Sequence, residues 1–186
     1  DDISDFEIEG ISIGDSLLDY MTKEEILEEI ELNIERFPYL NKPYKYVQVN
    51  LDTGLQTYDQ LSFLVKNNST NKYITDKNEK YTILYIRGLI NYIEDFDSCI
   101  QERDKVAEIL SEMFPNTQKN EWKHDYTPDP SGKSFVEAKE FVFASKNEIQ
   151  LQCLHLEKTF RIKSNWLEGL SISIGTNETK IWLQDS

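Results

Sequence analysis

The feature that most constrains this chain is a change of period. Between residue 23 and about residue 36 the apolar residues Ile26, Leu27, Ile30 and Ile34 recur at helical spacing, whereas from residue 44 onward apolar and polar residues alternate. Val47, Val49 and Leu51 then share one face, and Tyr44, Tyr46 and Gln48 the other. A helix that must bury one stripe is therefore followed by strands that must bury one face. Strand patterns return at 61–65, 81–93, 134–145 and 148–156, and in shorter runs at 160–163, 170–174 and 180–183. Their short connections rule out most parallel crossovers.

Two helices are predicted. The first opens on a capping box, with Thr22 and Glu25 exchanging side chain and backbone N–H, and with Met21 and Ile26 in the staple positions. The second covers 98–114, is capped by Asp95 or Asp97, carries the stripe Cys99, Val106, Leu110 and Met113, and ends at Pro115. Pro38 helps to end the first. The expected class is α+β: mostly antiparallel sheet, with the two amphipathic helices packed on one face. One domain over 1–186 is expected, with the polar stretch 116–133 as the best candidate for a mobile loop or sub-boundary. Polar residues 67–78 read as another loop. Phe6 and Ile8, alternating with Glu7 and Glu9, suggest a short edge strand, Gly88 a bulge or bend, and 145–148 and 175–178 hairpin turns.

Charge is strongly lopsided. Residues 1–35 hold 13 Asp and Glu against the single Lys23, and so carry −12 of the chain's −14. Phosphate neutralisation needs a basic stripe, and none is visible, so nucleic acid is excluded as the expected partner. Glu24, Glu28, Glu31 and Glu35 line one side of the first helix, as a solvated face or an acidic contact surface. No apolar run approaches the roughly 18 residues a membrane helix needs. The chain starts without Met, so a trimmed start, as after removal of a signal peptide, is expected. Cys99 and Cys153, 54 residues apart, lack the paired spacing of a zinc site, and from spacing alone a bond and two buried thiols both stay open.

Several constellations touch on chemistry without completing it. Gly14-Asp15-Ser16-Leu17 spells the nucleophile block of the GDSL hydrolases, and the enzymatic alternative is a hydrolase using Ser16, with His124 or His155 as base and Asp15 or Asp19 in support. That family's Asp-x-x-His and Gly-x-Asn-Asp blocks are both missing. Cys153 and His155 point the same way in a strand, but no third group orients the imidazole. Asp125 and Asp129 lack the order of a calcium loop, and no metal site or cofactor is expected. Ser131-Gly132-Lys133-Ser134 ends like a phosphate loop but has Thr127 where its first glycine should be. Tyr44, Tyr46, Tyr58, Trp122, Trp166 and Trp182 supply aromatic surface, as core or as a stacking platform. Glycosylation sequons stand at Asn67, Asn68 and Asn177.

The segment from Phe6 to Ile26 (FEIEGISIGDSLLDYMTKEEI), Cys99 at the start of the second helix, Ser131-Gly-Lys-Ser134 and Cys153 in a strand together resemble a family of small secreted proteins of unknown function from marine bacteria. The resemblance implies a cleaved signal peptide, a periplasmic or secreted location and a Cys99–Cys153 bond. In that family Gly-Asp-Ser-Leu looks like a turn before a capped helix. The function expected is that of a non-enzymatic module binding a protein, peptide or envelope component.

Overall fold

The computed structural model describes residues 2–36, 46–66 and 80–184; the 67–78 loop, Pro38, Tyr44, Asn67 and Asn68 lie outside the described residues. Seven strands form one antiparallel sheet: β1 (Tyr46–Leu51), β2 (Gln60–Lys66), β3 (Ile83–Asn91), β4 (Gln118–Asp125), β5 (Phe135–Val142), β6 (Glu148–His155) and β7 (Gly169–Gly175). Their spatial order is β1-β2-β3-β7-β6-β5-β4, so β7 closes the gap between two meanders. Four helices accompany it: α1 (Lys23–Arg36), α2 (Phe96–Met113), α3 (Lys158–Ser164) and α4 (Asn177–Gln184). The α+β class and the antiparallel sheet agree with the sequence reading.

Local chemistry explains both long helices. Thr22 N–H donates to Glu25 Oε2 at 2.8 Å and Glu25 N–H to Thr22 Oγ1 at 3.3 Å, completing the capping box. Asp95 caps α2 by accepting from Ser98 N–H. Ile26, Ile30 and Ile34 of α1 and Cys99, Ala107 and Leu110 of α2 enter one apolar cluster with Val47, Phe63, Ile86, Leu151 and Ile172 of the sheet. Each such aliphatic side chain contributes about 1.5–3 kcal/mol by leaving water. Cys99 and Cys153 are bonded, Cα to Cα 6.0 Å, tying α2 to β6.

α1 also seals an edge. Asn33 Nδ2 donates to the Gln48 carbonyl at 3.1 Å, and Asn50 N–H donates to Glu29 Oε2 at 3.0 Å, so main-chain groups on the open side of β1 find partners in the helix. The N-terminal segment adds no strand there. It holds two isolated bridges, Ile8 to Ile11 and Ser16 to Thr82, and two short 3-10 turns, and buries Ile3, Ile8, Ile11, Leu17 and Met21. Glu9 fastens it to the β1–β2 loop by accepting N–H from Gln56, Thr57 and Tyr58.

Five sequence expectations are corrected. Residues 118–125, expected as loop, form β4; as an edge strand with little burial on either face it carries no apolar alternation to reveal it. Residues 160–163 lie in α3 and 180–183 in α4, because four-residue runs cannot separate the two periods. The 175–178 turn is instead the entry to α4, where Thr176 Oγ1 accepts Thr179 N–H. Gly88 is no bulge, since its register is unbroken on both sides; a Cβ there would lie 2.4 Å from the Tyr58 ring, and the shift occurs between Leu64 and Val65. The 145–148 hairpin turn is present between β5 and β6. Trp182 of α4 packs edge-on to Tyr46, whose neighbour Val47 faces the α1 cluster, so this helix touches the opposite face of the sheet.

Candidate binding face

That opposite face is the most distinctive surface of the molecule. The registers align one residue from every strand into a row: Asn50, Ser62, Arg87, Ser173, Gln150, Glu140 and Asn120. A second row beside it holds Gln60, Leu89, Ser171, Gln152, Ala138 and Trp122. All seven members of the first row are polar, whereas the alternating residues beneath are mostly core. Glu140 gathers its neighbours by accepting from Trp122 Nε1 at 2.7 Å and from Gln150 Nε2 at 2.6 Å, and Gln152 donates on to Gln150. Such a network holds its side chains in fixed orientations.

Arg87 stands near the middle of this face. Its Nε donates to Ser171 Oγ at 2.7 Å, which orients the guanidinium, and the residue is exposed. Among the described residues no carboxylate lies within ion-pair distance of it. In a chain of net charge −14 this is an unusual cation. Three cavities adjoin it or its neighbour Tyr85. One of about 440 Å³ lies between Arg87, Gln152, Ser171, Tyr126 and Trp166. Two of about 300 Å³ lie toward α4, one bounded by Arg87, Tyr85 and Leu183, the other by Tyr85, Gln150 and Lys180.

The aromatic wall of the 440 Å³ cavity is formed by Tyr126, just after β4, and by Trp166 in the segment that follows α3. Asn165 adopts the left-handed conformation at φ 54°, ending α3 and presenting Trp166, which is 45% exposed. Trp166, Tyr126 and Phe160 pack pairwise edge to face, with centroids 5.8–6.3 Å apart. Burial pushes the Tyr126 hydroxyl above its ordinary pKa, and the charge of Arg87 acts against this. Two residues on, the buried Glu168 anchors the segment: its carboxylate accepts N–H from Glu94 and from Leu156 (2.8 Å), and its carbonyl accepts Tyr92 N–H. The Asp129 loop and Phe160 line a separate cavity of about 510 Å³. Hydrogen bonds from Ser134, then from Ser131, hold the Asp129 carboxyl below its usual range.

Of the residues singled out from sequence, Trp122 and Trp166 lie on or beside this face and Tyr46 and Trp182 pack together on it, whereas the catalytic candidates fall elsewhere. Ser16 donates to the Lys80 carbonyl at 2.6 Å and accepts Leu18 N–H as the cap of a 3-10 turn; Asp15 accepts from Ser12 N–H and Tyr20 hydroxyl. Hydrogen bonding to Asp15 pushes Tyr20 up to about 12. Asp19 is exposed in the same turn. Ser16 bridges Thr82 at one end of β3, while His124 and His155 lie at the end marked by Asn91, roughly 30 Å away along the strands. The structure does not bring these groups together. His124 stacks beside Trp122, and His155 sits between Phe96 and Phe135 with Nδ1 3.7 Å from Glu168. Cys153, being bonded, has no thiol to offer His155. Glu24, Glu28, Glu31 and Glu35 are exposed along α1. Among the described residues no group of three or more His, Cys, Asp or Glu is placed to hold a metal ion, and no helix is long and apolar enough to cross a membrane.

No family model, curated protein or solved structure matches the chain.

Proposed function

We propose that the protein is a non-enzymatic, extracytoplasmic binding module whose contact surface is the polar face of the sheet. The observation that carries this is Arg87: an exposed guanidinium, oriented by Ser171, without a carboxylate partner among the described residues and bordered by the Tyr126–Trp166 wall. A guanidinium fixed in this way suits a carboxylate or phosphate group on the partner, and the rings suit an apolar or sugar surface beside it. The partner is thus an anionic protein segment, peptide or envelope component. The Cys99–Cys153 bond supports a periplasmic or secreted location, where such bonds persist. The acidic face of α1 is the competing surface.

Capture from an envelope extract separates the two surfaces. Immobilised wild-type protein, Arg87→Ala, Trp166→Ala and the triple neutralisation Glu24→Gln, Glu28→Gln, Glu31→Gln are compared, with bound species identified by mass. Species lost with Arg87→Ala and Trp166→Ala but kept by the triple variant support the sheet face. The reverse pattern moves the contact to α1 and refutes this reading.

A further inference from the structure

The two edges of the sheet are not alike. α1 covers β1, but among the described residues nothing hydrogen-bonds to the outer side of β4. Which groups face outward follows from parity. Tyr126 N–H donates to the Ser134 carbonyl at 2.8 Å, and this pair continues the β4–β5 register. The even-numbered residues of β4 therefore commit their main-chain groups to β5, and Lys119, Glu121, Lys123 and Asp125 turn theirs outward.

The charges along this edge are self-complementary when the strand is reversed. If a second copy is laid antiparallel with Trp122 on the two-fold axis, Lys119 faces Asp125 and Glu121 faces Lys123, each pair occurring twice by symmetry, and Asn120 faces His124. The parity fits as well. The four outward residues fall in hydrogen-bonded positions, and Trp122 meets its counterpart in a non-hydrogen-bonded position, where Cα atoms are about 4.5 Å apart and side chains are closest. Other registers do less well: an axis at Asn120 or at His124 keeps the parity but gives one attractive pair and its symmetry mate, Lys119 with Glu121 or Lys123 with Asp125, where the Trp122 axis gives two. An axis at Glu121 sets Lys119 against Lys123, an axis at Lys123 sets Glu121 against Asp125, and an axis between residues sets outward groups against inward ones. Lys123 already pairs with Glu137 at 2.8 Å and Glu121 with Lys139 at 3.5 Å, so the joined sheet continues an alternation of sign that each copy has begun.

We propose that the protein forms a two-fold dimer by antiparallel pairing of β4 with β4 of a second copy, Trp122 facing Trp122 across the axis. Self-complementarity is what selects a second copy over a foreign strand, which needs no such order of charges. The inference is independent of the binding-face reading.

Sedimentation equilibrium of the full oxidised chain over about 1–500 μM tests it, with hydrogen exchange of β4 amides at both ends of that range. The expected result is a monomer–dimer equilibrium, with Lys119, Glu121, Lys123 and Asp125 amides protected only at the high concentration. Lys119 and Asp125 are exposed and carry no ion pair among the described residues, so they serve as reporters. Lys119→Glu and Asp125→Lys each turn two attractive pairs repulsive and weaken association about tenfold or more, and the combined swap restores it. A chain that stays monomeric throughout overturns the proposal and leaves the edge to another protein's strand. A dimer indifferent to both single reversals, or one without protection of the four odd amides, also overturns it. The exchange pattern of the wild-type protein decides the matter even if a variant fails to fold.

Discussion

Reduction of the Cys99–Cys153 bond is the perturbation with the most direct link between structure and magnitude. The two residues are 54 apart, and the closed loop contains most of α2, all of β4 and β5, and most of β6. In the chain-entropy model, cross-linking a loop of that length destabilises the unfolded state by about 4 kcal/mol. Globular domains hold about 5–15 kcal/mol in total, so the bond is a large fraction of the whole. With a urea slope of about 2 kcal/mol/M, the unfolding midpoint should fall by about 2 M on reduction. The assay is equilibrium unfolding followed by Trp fluorescence with and without reductant. Reduction is cleaner than substitution, because both buried side chains are retained and no atom is removed from the core. A fall below about 0.5 M would refute the reasoning, and would mean that the unfolded chain already keeps α2 near β6.

Other sites give sharp expectations. Gly88→Ala pushes a Cβ into the Tyr58 ring and should cost about 1–3 kcal/mol in urea unfolding, whereas Gly54→Ala, where the same atom meets open space, tests backbone strain alone. Thr22→Ala removes the capping box and should lower stability by about 0.5–2 kcal/mol, read as a lower thermal midpoint. The Asp129 carboxyl is depressed in the folded state, chiefly by hydrogen bonds from Ser134. Its contribution is therefore present above its unfolded value and lost as pH falls through the folded one. Unfolding midpoints measured from pH 7 down to about 2 should fall less steeply in Asp129→Asn than in the wild type; parallel curves would remove Asp129 from the acid response.

How much of this was legible in the sequence depended on whether a segment's signal is local. The capping box at Thr22 and the isoleucine stripe lie within one helix, so α1 could be read directly. The strands with one buried face were equally plain, because Val47, Val49, Leu61 and Phe63 alternate with polar residues. β4 was hidden because Gln118 to Asp125 bury little on either side, and β-structure without a core face has no hydrophobic period. α3 and α4 were misread because an alternating run such as Phe160-Arg-Ile-Lys163 is too short to distinguish the two geometries. The second helix also holds a surprise on its inner face: Arg103, 7% exposed, is kept there by Asp104 at 2.9 Å. The polar face of the sheet was present as Ser62, Arg87, Glu140 and Gln150, one on each alternating run. Only the registers, set by contacts distant in sequence, bring them into one row.

The contrast between the sealed edge of β1 and the bare edge of β4 has a consequence in the language of polymerisation. A sheet with two reactive edges is a bifunctional monomer, and each addition leaves a new growing end, as in a fibril. With Asn33 and Glu29 bonded to the Gln48 carbonyl and the Asn50 N–H at one edge, pairing through β4 would make this sheet monofunctional. Such pairing would end after a single step, its product presenting only edges of the β1 kind.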